Sequence, residues 1–348
     1  ARAVYAEYTD LIEPYGIDEC WLDITRSTKI FPAYDGGMYA GEGEERHFAP
    51  GYLRFLGDTL RERIKGELGL TVSVGVSFNK VFAKLGSDLK KPDGTTVISV
   101  ADYRRVVYPL PVEDLLYVGR ATAEKLRTRG LTTIGALAAA PDGLLHGLLG
   151  KAGDNLAKYA RGEDDDPVRS MDDTGELKSI GNSLTYPEDL TRPGEVKKNL
   201  YVLAESVAAR LRESGLGRAD TVHLWVRFSS LKSFGVQKKV RPTVLCGEIA
   251  EHAFALFTEK VKPPFSVRAL GITVSGFDGG SSQMTLDEVD GTYLKRERAE
   301  RAVDAIRKKY GYSKLQRGIT AGDPEAAGND IKGTHLIKPA KFDDPEEK

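Results

Sequence analysis

The stretch TVSVGVSFNKVFAKLGSDLKKPDG, residues 71–94, changes its hydrophobic period halfway along. Its first part alternates valines with small or polar residues, which predicts a β-strand with one valine face. Its second part has the spacing of an amphipathic helix, which we expect to begin near Ser77, a residue able to cap it. The valine face consists of Val72, Val74 and Val76. The helix residues expected to pack inward are Phe78, Phe82, Leu85 and Leu89.

The opposite face of this predicted helix is basic. Lys80 and Lys84 share that face, and Lys90 and Lys91 follow at the helix end, before the turn PDG. Such a cluster of cations suits the binding of a triphosphate. The alternative is an ordinary solvated lysine face, which composition alone favours.

A second stretch, YGIDECWLDIT at residues 15–25, places two acids side by side at the start of a predicted strand. Adjacent residues within a strand point to opposite faces, so such a pair could not share a ligand there. Pro14 and Gly16 supply turn chemistry just upstream, however, so Asp18 and Glu19 could converge beyond the strand end. Two converging carboxylates need a cation between them, and Mg²⁺ prefers such oxygen ligands. The alternative is a solvated pair beside a turn.

The composition of the whole chain excludes several classes of protein. Hydrophobic residues make up 41% and charged residues 29% of the 348 residues, as in ordinary globular proteins. The formal net charge of -1 excludes a uniformly basic nucleic-acid binder. Cys20 and Cys246 are far apart, without a CxxC pair, so neither a zinc site nor a disulfide framework is indicated. No apolar run is long enough to cross a membrane, and we expect a cytoplasmic protein that does not bind membranes.

Changes of pattern along the chain predict an α+β protein of several domains, which fits its length. Strand and helix signals first alternate, which predicts a sheet backed by helices. Short glycine-separated helices, an acidic turn-rich linker and a compact α+β domain follow, and then a charged helix with a polar tail. The expected segments are 1–100, with a surface insertion at 32–51, then 101–162, 163–175, 176–278 and 279–348.

The segments GIDECWLDIT and TVSVGVSFNKVFAKLGSDLKKPDG together resemble the palm of the Y-family, or translesion, DNA polymerases, close to the bacterial DNA polymerase IV group. The first matches the family's Ser-Ile-Asp-Glu motif, with glycine in place of serine. The second matches its Gly-Ile/Val, Asn-Lys, Ala-Lys, Ser-Asp and Lys-Pro-Asn/Asp-Gly pattern. The resemblance extends to about Gly318 and implies part of a palm at 1–100, a helical thumb at 101–162 and a DNA-binding little finger at 176–278.

The resemblance implies a mutagenic translesion polymerase that transfers a nucleotide from a dNTP to a primer 3′-hydroxyl, acting as a monomer on primer-template DNA. It implies that Asp18 and Glu19 are catalytic and help to hold two Mg²⁺ ions. It further implies that Lys91, in the Lys-Pro-Asp-Gly turn, contacts the triphosphate, and that Lys84 is a second phosphate contact. Asp23, on the same strand as the acidic pair, is expected to be structural.

The segment PVEDLLYVGRATAEKLRTRGLTTIGALAAAP, residues 111–141, resembles a helix-hairpin-helix. In that motif the backbone N–H groups of a glycine-containing hairpin approach a DNA phosphate without reading the base sequence. This chain keeps Gly119 but has Tyr117 at the position of the usual first glycine. The alternative is an ordinary helical hairpin.

Residues 210–241 contain eight basic residues against two acidic ones, which indicates binding to a nucleic-acid backbone. Within them the strand TVHLWVRFS alternates apolar and polar residues, so one face is expected to pack and the other to meet DNA or solvent. The resemblance places Lys178 and Ser179 on the opening strand of the little finger, along the template. The further DNA contacts predicted here are Arg227, Lys232, Lys238, Lys239 and Arg241.

Two expectations concern features beyond these domains. The stretch SSQMTLDE resembles a sliding-clamp peptide through Gln283 and Leu286, although Asp287 replaces the aromatic residue that usually completes it. The family's palm also includes a preceding segment with a further metal-binding aspartate, so we expect this chain to be a fragment of a longer polymerase. The alternatives are a DNA-binding accessory protein without catalysis and a nucleotide cyclase. We set the cyclase aside because it would have no use for a helix-hairpin-helix or a basic little finger.

Overall fold

The structure, a computed structural model, describes residues 1–27, 29–41, 47–141, 143–173, 175, 177–279 and 291–321. By their contacts these residues divide into two compact units, the first ending at Asp173 and the second beginning at Gly175. Both units combine helices with strands, as the α+β prediction requires. In the described part of the chain, no helix is long and apolar enough to cross a membrane.

The first unit begins with short strands and the long helix α2. Its elements up to the sixth strand are α1 (Arg2–Ala6), β1 (Ile12–Pro14), β2 (Cys20–Leu22), β3 (Tyr39–Ala40), β4 (His47–Phe48), α2 (Pro50–Leu68), β5 (Val74–Ser77), α3 (Lys80–Leu89) and β6 (Thr95–Ile98). β1 pairs with β2 and β3 with β4 in antiparallel fashion, whereas β5 and β6 run parallel. β3 and β4 lie within 32–51, and the rings of Tyr34 and Phe48 from this segment pack against the core beneath α2.

Helix α3 packs against strand β5 at very short range. A Cβ added to Gly75 would lie 1.8 Å from a backbone carbonyl oxygen of α3, so no larger residue fits there. On the opposite side of β5, Val74 and Val76 face Gly57 of α2. The predicted valine face is therefore confirmed for these two residues, while Val72 lies before the strand.

The start of α3 differs from the prediction. Asn79, not Ser77, caps the helix, and its side chain accepts a hydrogen bond from the N–H of Phe82 at 2.8 Å. Ser77 belongs to β5, and its hydroxyl donates instead to a carbonyl of β6 at 2.8 Å. Phe78 lies before the helix and is 42% exposed, whereas Phe82 and Leu85 are buried as predicted.

Short helices follow β6 and form the helical region predicted for 101–162. They are α4 (Tyr103–Val107), a 3-10 turn (Val112–Asp114), α5 (Arg120–Arg127), α6 (Ile134–Ala138), α7 (Leu144–Leu149) and α8 (Lys151–Arg161). Their apolar side chains share one core with Phe82 and Leu85 of α3. This shared core fixes α3 relative to the helical region.

The second unit is a four-stranded antiparallel sheet with helices packed on one face. Its elements are β7 (Ser179–Leu190), α9 (Pro193–Ser214), β8 (Ala219–Phe228), β9 (Ser233–Thr243), α10 (Cys246–Lys260), β10 (Val267–Phe277) and α11 (Thr292–Tyr310). The strand order is β7-β10-β8-β9. Val222, Leu224 and Val226 alternate along β8 and are buried in a cluster with side chains of α9 and α10. The predicted alternation of faces is confirmed for this strand.

Helix α11 is attached to the second unit largely by charged groups. Arg212 of α9 is 8% exposed, and its guanidinium donates to Glu300 at 2.5 Å and to Asp304 at 2.7 and 2.9 Å. Tyr293, a buried residue of α11, accepts from a backbone N–H just before α10 at 3.0 Å. The basic stretch 210–241 thus includes one cation that is held inside the protein and is not available to DNA.

Candidate active site and nucleic-acid interface

The loop between β1 and β2 carries the acidic pair. The N–H of Tyr15 donates to the carbonyl of Glu19 at 2.9 Å and closes the loop. Gly16 has a φ of +80°, a left-handed conformation that glycine adopts without steric cost. Asp18 is exposed and Glu19 half-buried at this turn. The pair therefore lies at a hairpin turn and not within a strand, as the turn residues predicted.

Three of the four side chains predicted for catalysis and nucleotide binding lie in one charged cluster. Lys84 Nζ donates to Glu19 Oε1 at 2.9 Å, and Lys91 Nζ lies 3.9 Å from the same oxygen. Asp88 completes the cluster, with contacts to both lysines at 2.9 and 2.7 Å. Asp88 was not singled out from the sequence, although it lies four residues after Lys84 and three before Lys91, the spacings at which helical side chains meet.

The charges of this cluster stabilise one another. Burial acts to lower the pKa of Lys84, but hydrogen bonds to Glu19 and Asp88 outweigh it, so that the pKa is raised. Burial acts to raise the pKa of Asp88, but hydrogen bonds from Lys91 and Lys84 outweigh it and lower that pKa. The contacts of the cluster therefore favour the charged forms of Lys84 and Asp88.

Lys80 does not join this cluster, contrary to the prediction of a shared lysine face with Lys84. Its Nζ donates to Glu13 Oε2 at 3.2 Å and lies 5.4 Å from the centre of the Trp21 ring. The Trp21 indole in turn donates to the Lys80 carbonyl at 3.0 Å. Lys80 thus fastens α3 to the β1–β2 hairpin from inside the unit.

The chemistry of the acidic pair fits a hard divalent cation in part. Asp18 and Glu19 offer carboxylate oxygens, the ligands that Mg²⁺ prefers. Among the described residues, no three His, Cys, Asp or Glu side chains converge as a metal site. The pair therefore accounts for part of a coordination shell, and the remaining oxygen ligands would come from water, nucleotide or other protein groups.

The candidate DNA-binding hairpin of the helical region has a left-handed residue at the position of the usual first glycine. Tyr117 has a φ of +70°, a left-handed conformation that favours glycine, and its side chain is exposed beside the ring of Tyr159. Gly119 is the N-cap residue of α5, and a Cβ added there would meet no atom within 4 Å. The backbone of this hairpin is therefore open to a ligand.

The sheet of the second unit turns one face, the open face, away from α9 and α10. Residues directly opposite on neighbouring strands share a face, and Trp225 is opposite both Gly271 and Gly235. Arg227 is exposed, with its guanidinium 5.0 Å from the centre of the Trp225 ring. Lys178 is exposed just before β7. The open face comprises Ser179, Gly181, Ser183, Gly271, Thr273, His223, Trp225, Arg227, Gly235, Gln237 and Lys239.

The basic residues predicted to contact DNA do not all lie on the open face. Lys239 does, but its neighbour Lys238 is opposite the buried Val222 and therefore belongs to the helix-covered face. Lys232 is exposed in the turn between β8 and β9. The Arg241 guanidinium lies 5.9 Å from the centre of a tyrosine ring of α11. The positive charge of this region is thus spread over several surfaces.

Several predicted features lie outside the described residues. They include Gln283 and Leu286, the candidate clamp contacts, and most of the polar tail. The same applies to residues 42–46 within the predicted insertion. The interpretations of these segments stay predictions.

Comparison with known proteins gives two family matches and a series of relatives. Residues 1–88 match the impB/mucB/samB family, and residues 177–286 match the impB/mucB/samB family C-terminal domain. DNA polymerase IV of Acetivibrio thermocellus is 42% identical over 326 residues, which cover 93% of this chain and 77% of that protein. DNA polymerase IV of Alkaliphilus oremlandii is 33% identical over 324 residues, which cover 90% of this chain and 75% of that protein.

The fold is similar to that of a solved structure, the Y-family DNA polymerase chimera Dbh-Dpo4(243-245)-Dbh. The TM-score is 0.63 at 20% sequence identity, over 80% of this chain and 74% of that chain. The fold is therefore that of the Y-family DNA polymerases. With the sequence relatives, it shows that the chain belongs to the DNA polymerase IV family of translesion DNA polymerases. The resemblance carried by the two palm motifs is confirmed.

Proposed function

We propose that this chain provides the catalytic hairpin and the DNA-binding surfaces of a polymerase that extends primers from dNTPs past damaged bases, as a cytoplasmic monomer. The observation that carries the proposal is the cluster of Glu19, Lys84 and Lys91 beside Asp18. It brings candidate cation ligands and candidate phosphate ligands together at one hairpin. Membership of the family supports the class of reaction.

In this proposal Asp18 and Glu19 hold the catalytic Mg²⁺. When bound, the cation would lower the pKa of the primer 3′-hydroxyl and stabilise charge on the leaving pyrophosphate. The two carboxylates are carried by a short loop that the β1–β2 pairing and the Tyr15–Glu19 hydrogen bond restrain. This restraint would keep both oxygen donors at the same place as substrates bind and leave.

Lys91 and Lys84 would bind the triphosphate of the incoming nucleotide. The side chain of Lys91 is 52% exposed and can reach a phosphate from solvent, whereas that of Lys84 is only 16% exposed. Lysine neutralises phosphate oxygens as a flexible point charge. We therefore assign Lys91 as the first phosphate contact and Lys84 as a second contact close to the metal ligands.

Each unit would contribute its own surface for primer-template DNA. In the first unit the open backbone at Gly119 supports a contact to a phosphate. In the second unit the open face presents Ser179, Arg227 and Lys239, which would bind the backbone without reading the bases. The remaining proposed contacts are Lys178, Lys232 and Arg241, whereas Lys238, predicted from the sequence as a contact, lies on the helix-covered face and is not proposed as one. A sliding clamp bound through Gln283 and Leu286 is part of the same proposal.

A second candidate function is that of a DNA-binding accessory protein without catalysis. One observation favours it, because in the described ranges no third metal-ligating side chain joins Asp18 and Glu19. The two functions differ in one respect that can be measured. The polymerase extends primers and requires the acidic pair to do so, whereas the accessory protein binds DNA and extends no primer.

The test is primer extension with Mg²⁺ on damaged and undamaged templates. It uses this chain alone and this chain joined to the preceding palm segment of a relative. We expect Asp18→Asn and Glu19→Gln to lower extension by about a thousandfold, with binding of primer-template DNA unchanged. The matched control is Asp23→Asn, because Asp23 lies nearby but accepts a hydrogen bond from the N–H of Thr25 at 2.9 Å.

Two outcomes would contradict parts of this proposal. If the joined protein binds DNA but fails to extend any primer, the accessory function is favoured. If extension occurs but survives in both variants of the acidic pair, the metal assignment is wrong. A loss shared by Asp23→Asn would point to damage of the hairpin as a whole.

A further inference from the structure

Asp88 joins the two lysines of the candidate nucleotide site. Its Oδ2 accepts from Lys84 Nζ at 2.9 Å, and its Oδ1 accepts from Lys91 Nζ at 2.7 Å. Lys84 lies one turn earlier in α3, whereas Lys91 lies beyond the end of the helix. One carboxylate therefore bridges an ammonium on the helix and an ammonium on the following turn.

Lys84 contacts two carboxylates at once. Its Nζ is 2.9 Å from Glu19 Oε1 and 2.9 Å from Asp88 Oδ2. An ammonium has three N–H donors, so both carboxylates and one further acceptor can be bound at once. Without Asp88, Glu19 would be the carboxylate left to Lys84 within the described cluster. Asp88 thus shares Lys84 with Glu19 and links it to Lys91.

The bridge formed by Asp88 is not expected to contribute much to the stability of the fold. The side chains of Lys91 and Asp88 are 52% and 46% exposed, and ion pairs between exposed groups add little to the free energy of unfolding. Lysine side chains are flexible, so holding two of them in place before a nucleotide arrives lowers the entropic cost of binding. The arrangement is better explained by preorganisation of a binding site.

We propose that Asp88 is a positioning residue, which holds Lys84 and Lys91 at a fixed separation for the triphosphate. The inference rests on the proposed function, because it assumes that these lysines bind the nucleotide. Asp88 itself acts through the lysines and does not contact the reacting atoms.

The test compares Asp88→Asn, which keeps the shape, with Asp88→Glu, which keeps the charge. Asp102→Asn is the matched control, because Asp102 pairs with Arg105 at 3.0 Å across three residues and its side chain is 40% exposed. Single-nucleotide insertion gives kcat and the KM for dTTP in the joined protein. Calorimetric titration with tripolyphosphate gives a measure of anion binding that does not depend on catalysis.

We expect Asp88→Asn to raise the KM for dTTP about tenfold with a change in kcat below about twofold, because one charge-assisted contact to the lysines is lost. Tripolyphosphate should bind more weakly by a similar factor. Asp88→Glu should recover most of the affinity, and Asp102→Asn should match the unmodified protein. Melting temperatures of all variants should agree, since the bridge is not a stability feature.

The sign of the effect separates this role from simple competition. If Asp88 only competed with phosphate for the lysines, its neutralisation would lower the KM and tighten tripolyphosphate binding. Either result overturns the proposal, as does an equal loss in Asp102→Asn. If the unmodified protein extends no primer, the proposed function fails, whereas the tripolyphosphate titrations still decide the role of Asp88.

Discussion

Glu13 ties three parts of the first unit together through one carboxylate. It lies in β1, is 5% exposed and accepts from Lys80 of α3 at 3.2 Å. It also accepts from the backbone and the guanidinium of Arg169 at 3.0 and 3.1 Å. Burial acts to raise the pKa of Glu13, but the hydrogen bonds from Arg169 and Lys80 outweigh it, so that the pKa is lowered. A charged group next to the candidate catalytic loop thus anchors its strand.

We expect Glu13→Gln to lower the free energy of unfolding by about 3 kcal/mol, because it leaves the Lys80 ammonium inside the unit without its carboxylate. The stabilisation by Glu13 is complete above the ordinary glutamate pKa of about 4.3. It is lost as the pH falls through the lower pKa of the folded state. The unmodified protein should therefore lose stability more steeply than the variant below about pH 4.

Denaturant unfolding followed by Trp21 fluorescence, in a Trp225→Phe background, measures this effect in the first unit. Glu7→Gln is the control, because Glu7 pairs with Arg63 at 2.6 Å but its side chain is 58% exposed. Parallel pH profiles for Glu13→Gln and the unmodified protein would show that the carboxylate does not carry the acid sensitivity.

The sequence predicted the location of a site residue where its partners lie in the same short stretch of chain. Lys84 and Lys91 belong to one short stretch, so their common location follows from it. The role of Lys80 could not be predicted, since its partner Glu13 lies 67 residues earlier in the chain. Ser77 was wrongly assigned as a helix cap for the same reason, because its hydrogen bond crosses to β6.

Two neighbouring lysines of strand β9 lie on opposite faces of the sheet, so their substitution can show which face binds DNA. Lys239 lies on the open face and Lys238 on the helix-covered face. If DNA lies against the open face, Lys239→Ala should reduce the slope of log affinity against log salt by about 0.9, the value for one phosphate contact. Lys238→Ala should leave the slope unchanged.

Fluorescence anisotropy of labelled primer-template DNA, measured over a series of salt concentrations, tests this prediction. Both variants remove one positive charge from adjacent positions, so each serves as the control of the other. Equal slopes for the two variants would mean that the open face is not the DNA surface.

The elements of the second unit were predictable where apolar and polar residues alternate strictly. The buried row Val222, Leu224 and Val226 identifies the core face of β8 directly. In β9 the apolar row is interrupted, because Lys238 follows Phe234 and Val236 on the same face. The alternation therefore does not reveal which lysine of this strand faces DNA.

At the scale of the whole molecule, the attachment of α11 is the feature that the sequence did not reveal. Glu205 of α9 is 3% exposed and accepts from Arg307 of α11 at 2.9 Å and from Arg317 at 2.7 Å. The Arg212 contacts to Glu300 and Asp304 complete the attachment. The sequence predicted only a charged helix before a polar tail. The helix has no marked apolar face, and its partners lie about a hundred residues earlier in the chain, so its attachment could not be predicted.

We expect Arg212→Ala to lower the free energy of unfolding of the second unit by about 3 kcal/mol, since Asp304 loses its cation and Glu300 keeps only the ion pair with Arg317. Arg301→Ala should change it by less than about 0.5 kcal/mol, because Arg301 forms an exposed pair with Glu297. Trp225 fluorescence during urea unfolding, in a Trp21→Phe background, measures both. Similar losses in the two variants would contradict a special role for the buried arginine.

The way in which α11 is held has a calorimetric consequence. Among its described residues Tyr293 is the buried one, so detaching the helix would expose little apolar surface. The heat-capacity change of a transition grows with the apolar surface that it exposes. Detachment of α11 should therefore have a small heat-capacity change and a free energy that varies almost linearly with temperature. The sheet and the helices that cover it, whose core is apolar, should instead show the strongly curved temperature dependence of hydrophobic burial.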